Sequence, residues 1–373
     1  MTLDPVSRLL LDEASLGQLD QPPGSFCQIA PLADKSVGQS DHVAETGGSA
    51  GNASILVIDD PGLANRLRAD GRDVLAYCDD LRDERQLAFP ALDGLDAGSL
   101  AGVELVLLRL PKSLGMLQDY AERVAAFAAP AVRLLAGGRE KHLTRGMNQV
   151  LSASFGSVRA SLGRQKSRVL HATEPVPGEL SWPHTTTVDG LTLVSHAGAF
   201  AADRLDGGTR LLLSALAQAE QLPRPATAGP LRAVDLGCGT GILASWLAGR
   251  GCDVLAVDVS RAACAAAGDT AAANRVPVEV KRADRLDQPS GSIGLVVCNP
   301  PFHRGTAKDS TPGFELIGSA LPALAPGGEL WVVFNSHLPY LPFLRAAAGP
   351  TRVVARDRHY TVTRSVRTGD TPA

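Results

Sequence analysis

Residues 234–241 have the sequence Val-Asp-Leu-Gly-Cys-Gly-Thr-Gly and stand between an apolar strand pattern and an Ala/Leu-rich helix pattern over 242–248. Asp235 lies two residues before the first glycine, at the end of the strand pattern. Glycine has no Cβ, so three glycines at alternate positions allow a tight turn and let the backbone come close to a ligand. This order of strand, glycine loop and helix predicts an open α/β sheet with a ligand at the carboxyl ends of its strands.

Two further acids follow later strand patterns and predict how an adenosine cofactor would be held. Asp258 ends the next strand pattern, about 20 residues after the glycine loop, where a carboxylate can accept hydrogen bonds from both ribose hydroxyls. Asp284 follows a third short strand pattern, where it either meets the adenine amine or is an ordinary acid of a surface loop. A nicotinamide-dependent dehydrogenase is the alternative, but its GxGxxG fingerprint needs a glycine where this chain has Ile242.

The segment Cys298-Asn-Pro-Pro-Phe-His303 follows a further apolar strand pattern, at 293–297. Proline lacks an N–H and fixes φ, so the segment is stiff. The amide oxygen of Asn299 and the backbone carbonyl of Pro300 can together accept both hydrogens of one –NH2 group and direct its lone pair at an electrophile. Phe302 would stack on a planar substrate; the alternative is a proline-rich turn with Phe302 in the core. His303 either lines this pocket or has a structural role.

The glycine loop, the later acids and the Asn-Pro-Pro-Phe tetrad together resemble the class I S-adenosylmethionine-dependent methyltransferases. The resemblance implies S-adenosylmethionine as the cofactor, with the first two glycines beside its methionine part, Asp258 at the ribose and Asp284 near the adenine. We therefore expect the cofactor to contact Asp235, Gly237, Gly239, Asp258, Asp284 and Asn299. We expect the catalytic residues to be Asn299, Pro300 and Phe302.

The tetrad alone leaves the substrate open, because it occurs in methyltransferases of adenine, of guanine and of glutamine amides. Residues 197–213, 335–340 and 358–362 resemble segments of the ribosomal RNA guanine-N2 methyltransferases of the RsmC and RlmG type. That resemblance implies methyl transfer to the exocyclic N2 amine of a guanine, with ribosomal RNA or a ribosomal subunit as the partner. The alternatives are a methyltransferase for another planar amine (adenine, a protein glutamine amide or a small molecule) and a non-enzymatic RNA-binding or chaperone-like protein.

Four strand patterns of the first half repeat in the same order in the second half, at 54–60 and 233–239, 73–79 and 253–259, 103–112 and 293–302, and 129–138 and 325–334. In the first half, Asp-Asp-Pro-Gly at 59–62 and Arg-Leu-Pro-Lys at 109–112 replace the glycine loop and the tetrad. We predict an α/β fold of two tandem Rossmann-like class I methyltransferase domains, the N-terminal one degenerate. Residues 1–170 would contact RNA or give structural support, 171–190 would be a linker, and 191–373 would be catalytic.

Composition and charge exclude several other classes of protein. The 373 residues are 45% hydrophobic and 20% charged, which is enough apolar surface for a core. No apolar run reaches the roughly 18–20 residues that cross a bilayer, and the six cysteines have no metal-like spacing. We expect a cytoplasmic monomer with no membrane segment and no metal. The net charge is −3, so contact with RNA would depend on local basic segments at 133–168 and 345–367. The alternative is that these segments are ordinary solvated surface.

Overall fold

The computed structural model of the chain describes residues 3–15, 55–200, 205–219, 229–301 and 311–368. Within these ranges the chain forms two α/β domains, built on a sheet of six strands and a sheet of seven strands. The central strands are continuous apolar runs that are buried on both faces, as in parallel sheets covered by helices. The strand and helix patterns therefore predicted the fold class correctly.

The N-terminal domain has a mainly parallel sheet with an antiparallel edge. Its elements in chain order are α1 (Pro5–Ser15), β1 (Ile55–Ile58), α2 (Pro61–Ala69), β2 (Val74–Tyr77), α3 (Leu81–Glu84), α4 (Ala97–Leu100), β3 (Leu105–Arg109), α5 (Leu114–Phe127), β4 (Arg133–Arg139), α6 (Arg145–Ser154), β5 (Phe155–Ala160) and β6 (Ser167–Pro175). The strand order is β2-β1-β3-β4-β6-β5. Strands β1 to β4 run parallel, and the hairpin of β5 and β6 adds the antiparallel edge.

The C-terminal domain repeats this arrangement with one more strand in its large sheet and with an additional hairpin. Its elements are β7 (His184–Val188), β8 (Leu191–Ser195), α7 (Gly207–Gln218), β9 (Arg232–Leu236), α8 (Ile242–Ala248), β10 (Asp253–Asp258), α9 (Arg261–Ala273), β11 (Val278–Arg282), β12 (Ile293–Cys298), α10 (Thr311–Ala320), β13 (Leu324–Asn335), α11 (Tyr340–Ala347), β14 (Thr351–Arg356) and β15 (Tyr360–Val366). The large sheet has the order β11-β10-β9-β12-β13-β15-β14, and β7 pairs with β8 in a separate hairpin.

The two strand orders become identical when β11 is left out, which confirms the internal repeat. β1, β2, β3 and β4 then take the places of β9, β10, β12 and β13, the same four pairs that the sequence patterns matched. The antiparallel edge strands also correspond, with β6 in the place of β15 and β5 in the place of β14. The main sheets of the two halves therefore share one strand order apart from β11, and the hairpin of β7 and β8 has no counterpart among the described strands of the first half.

The first half keeps the backbone of the glycine loop but fills its space with a side chain. Asp59 stands in the place of Gly237: the Asp59 N–H donates to the carbonyl of Tyr77 at 2.9 Å, as the Gly237 N–H donates to the carbonyl of Val257 at 2.8 Å. Asp59 also has a positive φ of 55°. Its carboxylate accepts from the hydroxyl of Tyr120 at 2.9 Å, and burial raises the pKa of Asp59 to about 7. The space that a glycine leaves for a ligand is thus occupied.

The connector between the domains is shorter than the predicted linker at 171–190. Residues 171–175 are the end of β6, and residues 184–190 belong to the hairpin of β7 and β8. That hairpin belongs to the C-terminal domain, since the N–H groups of Thr192 and Val194 donate to Asn274 and Thr270 near the end of α9. Residues 176–183 are thus what remains of the covalent connector between the two domains. The sequence pattern placed the end of β6 in the linker because of its prolines. Pro175 is in fact the last residue of β6, a position where a strand tolerates proline.

Candidate functional site

The first two glycines of the loop after β9 open onto a cavity. Gly237 and Gly239 have φ of +76° and +53°, conformations that favour glycine. Both line a cavity of about 280 Å³ at the carboxyl ends of β9, β10 and β12. Gly241 serves a different purpose, because a Cβ there would lie 2.5 Å from the Cα of Ala267, so its absence lets α8 begin close to α9. A close approach of backbone to ligand is therefore available at Gly237 and Gly239.

Asp258 ends β10 at the same cavity and connects two loops. Its Oδ2 accepts from the N–H of Gly239 at 3.0 Å, and its Oδ1 accepts from the N–H of Ser260 at 3.0 Å. Burial raises the pKa of Asp258 above its ordinary value, although these backbone N–H groups act in the opposite direction. Each carboxylate oxygen has more than one lone pair, so a carboxylate fixed in this way can still accept hydrogen bonds from the two hydroxyls of a ribose.

Asp235 lies beneath the glycine loop and is completely buried. Its Oδ2 accepts from the N–H of Ala244 in α8 at 3.0 Å, and its Oδ1 has no hydrogen-bond partner among the described residues. Burial raises the pKa of Asp235 to about 8; the Ala244 N–H lowers it and the charge of Asp258 raises it further. Burial thus favours the protonated form of Asp235, and its carboxyl group fixes the start of α8 to β9. Its contact with the cofactor stays a prediction.

Asp284 also lines the cavity, two residues beyond β11. Its Oδ2 accepts a hydrogen bond from Nη1 of Arg85, a residue of the N-terminal domain, at 2.8 Å. Desolvation acts to raise the pKa of Asp284, but the hydrogen bond and charge of Arg85 outweigh it and hold this pKa below its ordinary value. Asp284 is thus an ionised acceptor at the cavity wall, and its contact with the adenine stays a prediction.

Asn299 follows β12, and two residues fix its side-chain amide: Asp206, the N-cap of α7, and Thr209 in α7. Nδ2 donates to Oδ2 of Asp206 at 3.1 Å and to Oγ1 of Thr209 at 2.9 Å. A carboxylate can only accept, so the amide nitrogen must be the atom that faces Asp206. Both amide hydrogens are used, and Oδ1 is left to accept on the other side. Asn299 also lines the cavity, so an acceptor at the predicted position is available there.

The remaining residues of the tetrad are described only in part. Pro300 is buried and lines the cavity together with Pro301. Phe302 and His303 lie outside the described residues, and the predicted stacking contact of Phe302 stays a prediction. On another wall of the cavity lies Phe200, whose side chain is 50% exposed. Phe200 offers an aromatic surface at the site that the sequence analysis did not single out.

Asp206 and Thr209 are site residues that the sequence analysis missed. Asp206 caps α7, because its Oδ2 accepts from the N–H groups of Gly208 and Thr209 at 2.9 and 3.1 Å. The hydroxyl of Tyr360 lies 3.4 Å from Oδ1 of the same carboxylate. A signal was present, since residues 197–213 and 358–362 belong to the segments that resemble the RsmC and RlmG type. No sequence pattern, however, indicates that α7 meets the end of β12.

These features together fit S-adenosylmethionine. Two glycines leave space for its methionine part, a carboxylate at the end of the second strand suits its ribose, and an ionised acid lies on the wall of the same cavity. A doubly wound sheet with this loop and with an Asn-Pro-Pro segment at the end of its fourth strand defines a class I S-adenosylmethionine-dependent methyltransferase.

Comparison with known proteins gives the family within this class. The family described as "Methyltransferase small domain" matches residues 190–364, and the "RLMG N-terminal domain" matches residues 84–176. A ribosomal RNA large subunit methyltransferase G of Streptomyces avermitilis is 35% identical over 280 residues, 71% of each chain. The protein of the same name from Stutzerimonas stutzeri is 34% identical over 272 residues, 70% of each chain. The chain belongs to the ribosomal RNA large subunit methyltransferase G family.

A solved structure extends the likeness over both domains. It is the T. thermophilus 16S rRNA N2 methyltransferase RsmC in complex with AdoMet and guanosine, with a TM-score of 0.72 and 21% identity. The match covers 98% of this chain and 92% of that chain, so it confirms the tandem fold. Among the described residues, no helix has the length and apolar character to cross a membrane, and no cluster of His, Cys, Asp or Glu could hold a metal ion.

Proposed function

We propose that the protein transfers a methyl group from S-adenosylmethionine to the N2 amine of a guanine in ribosomal RNA of the large subunit. The observation that carries the proposal is the amide of Asn299, which is held with its acceptor oxygen turned away from Asp206 and Thr209 at the cavity wall. The names of the relatives support large-subunit RNA as the substrate, and RsmC, an N2 methyltransferase by name, was solved with guanosine.

The chemistry needs orientation of the amine more than a strong base. S-adenosylmethionine, held by Gly237, Gly239 and Asp258, supplies a methyl group on a positively charged sulfur. Asn299 Oδ1 and the carbonyl of Pro300 accept hydrogen bonds from the two N–H groups of the guanine amine. These bonds direct the lone pair of the nitrogen, which is otherwise delocalised into the ring, at the methyl group. The nitrogen becomes acidic as it gains the methyl group, and its proton then passes to water. No residue has to remove the proton first.

A paired guanine must leave its base stack to reach Asn299. Base–aromatic stacking stabilises an extruded base by about 1–3 kcal/mol. Phe200 supports this step, because it lies on the wall of the same cavity and half of its side chain is exposed. Phe302 keeps its predicted role as a second stacking surface.

We assign RNA contact to the N-terminal domain, residues 1–170, and catalysis to residues 191–373. The support is a basic surface at the tip of the β5–β6 hairpin and in the turn that precedes α6, whose exposed cations include Arg139, Lys141, Arg159, Arg164 and Lys166. Leu162 lies on the same tip and is 86% exposed. Exposed cations neutralise RNA phosphates, and the net charge of −3 leaves local surfaces as the source of that attraction.

A methyltransferase of ribosomal RNA acts where ribosomal subunits are made, so we also infer a cytoplasmic location. The expectation of a monomer is part of the proposal, and light scattering of the purified chain checks it.

The test of the proposal is methylation of ribosomal RNA from a strain that lacks this protein. Purified enzyme and labelled S-adenosylmethionine should place the label on N2 of guanine in large-subunit RNA, and Asn299→Ala should abolish transfer. The affinity of Asn299→Ala for S-adenosylhomocysteine should stay within about twofold, because the hydrogen bond that the substitution removes is the one to the amine. Label in adenine or in a protein glutamine would support the alternative methyltransferase, and normal turnover by Asn299→Ala would contradict the proposed mechanism.

A further inference from the structure

The N-terminal domain contacts the cofactor cavity through one corner, residues 78–85, between β2 and the end of α3. The N–H of Leu81 donates to the carbonyl of Val259, and the N–H of Arg261 donates to the carbonyl of Asp79, both at 3.0 Å. Oδ1 of Asp79 accepts from the N–H of Ala262 at 2.9 Å. The corner is thus hydrogen-bonded to the loop that directly follows the ribose carboxylate, Asp258.

A second set of contacts joins the same corner to β11. Oε2 of Glu84 accepts from Arg282 at 2.6 Å and from Arg261 at 2.8 Å. Nη2 of Arg282 also donates to the carbonyls of Cys78 and Asp79, at 3.1 and 2.8 Å. β11 is an edge strand of its sheet, with a neighbour on one side only. The corner thus binds the side chain of Arg282, the last residue of this edge strand.

Asp284 lies two residues beyond Arg282 and depends on this corner for its orientation. One of its carboxylate oxygens is paired with Arg85, and Arg82 of the same corner lines the cavity beside it. Only Oδ2 takes part in this ion pair, so Oδ1 is available to a ligand amine. The N-terminal domain therefore controls the direction of a carboxylate in the neighbouring domain.

We propose that Arg85 is a positioning residue for the cofactor and acts through Asp284 on the exocyclic amine of the adenine. The inference rests on the proposed function, since it takes S-adenosylmethionine as the ligand. A carboxylate held by a guanidinium is fixed in direction and accepts from an amine, while it repels a carbonyl oxygen at the same position of the base. The site would thus distinguish adenine from hypoxanthine, and a residue outside the catalytic domain would set that selectivity.

The test is the binding of S-adenosylhomocysteine and S-inosylhomocysteine, whose bases differ in the amine or carbonyl at position 6 and in the proton on N1, measured by calorimetry on the full chain without RNA. The wild-type protein should prefer the adenine compound. Arg85→Ala should lower that preference by roughly two- to fivefold, the range that an exposed ion pair can contribute. Arg85→Lys should restore part of it. In Asp284→Asn, the further change Arg85→Ala should have no additional effect on the ratio.

The matched control is Arg66→Ala, which removes an ion pair of similar exposure, Arg66 with Asp70, on α2. Arg66→Ala should leave the ratio of the two affinities unchanged. An unchanged ratio in Arg85→Ala, or tighter binding of S-adenosylhomocysteine, would overturn the inference and leave the proposed function intact. Equal affinity of the wild-type protein for both compounds would also overturn it. Failure of the wild-type protein to bind S-adenosylhomocysteine would overturn the proposed function itself.

Discussion

At the scale of single residues, the site depends on hydrogen bonds that fix the orientation of its functional side chains. Asn299 can present an acceptor to an amine only because Asp206 and Thr209 take both of its amide hydrogens. Asp258 can face a ribose because backbone N–H groups fix both of its oxygens. Reactive geometry that must hold within a fraction of an ångström needs such support, since a small misplacement lowers a rate steeply.

The support of Asn299 can be tested with Asp206→Asn. Asparagine is as good a helix cap as aspartate, so α7 should remain intact. The charge-assisted hydrogen bond to Asn299 becomes a neutral one, which should lower kcat about five- to thirtyfold, equivalent to about 1–2 kcal/mol. The dissociation constant of S-adenosylhomocysteine should not change. A loss of cofactor affinity with an unchanged kcat would contradict the role assigned to Asp206.

The burial of Asp235 predicts a specific pH dependence of stability. The folded protein keeps the proton of Asp235 up to a pKa of about 8, while the unfolded chain releases it near pH 4. Between these values the unfolded state binds fewer protons, so the contribution of this group to stability falls as pH rises. Asp235→Asn cannot ionise and still accepts from Ala244, so its free energy of unfolding should fall less steeply between pH 5 and pH 8.

The difference in slope between wild type and Asp235→Asn should be at most about 1.4 kcal/mol per pH unit, and urea unfolding at several pH values measures it. The exposed control Asp70→Asn should leave the slope unchanged. Parallel curves for wild type and Asp235→Asn would show that Asp235 is ionised in the folded protein.

At the scale of elements, sequence patterns predicted what is local and missed what is long-range. The glycine loop, β10 with Asp258 and β12 with Asn299 were each predicted, because strand patterns and turn residues are recognised from neighbouring positions in the sequence. The boundary at 171–190 was too wide, because prolines at the end of β6 resemble a connector. The contact of α7 with Asn299 joins positions 90 and 93 residues apart, which no local pattern can indicate.

The hairpin of β5 and β6 gives the prediction at this scale. Replacing Arg159 and Lys166 together by alanine should weaken the binding of ribosomal RNA. The slope of log affinity against log salt concentration should become shallower by about 1 for each phosphate contact that is lost. Filter binding at several salt concentrations measures both quantities. The matched control removes two cations from α2, Arg66 and Arg68, and should have less effect; equal effects of the two pairs would place the RNA elsewhere.

At the scale of the whole molecule, the two domains meet through corresponding corners. Asp80 and Ser260, which form an isolated antiparallel bridge, occupy equivalent places after β2 and β10. The two flanking hydrogen bonds are reciprocal, since Leu81 and Arg261 correspond to each other, as do Val259 and Asp79. Reciprocal contacts of this kind characterise a two-fold interface between identical subunits. The two halves of the repeat therefore contact each other as the subunits of a symmetric dimer do. Only the second half has kept the glycine loop and the Asn-Pro-Pro segment.

This interface predicts that the two domains unfold together in the wild-type protein. Glu84 binds Arg261 and Arg282, so Glu84→Gln should weaken the contact by about 1–2 kcal/mol and leave two guanidinium groups facing each other. Calorimetry should then show a broadened transition whose van't Hoff enthalpy falls below its calorimetric enthalpy. The exposed control Glu104→Gln should keep a single transition. If Glu84→Gln also unfolds in one step at the wild-type temperature, then the corner does not couple the stabilities of the two domains.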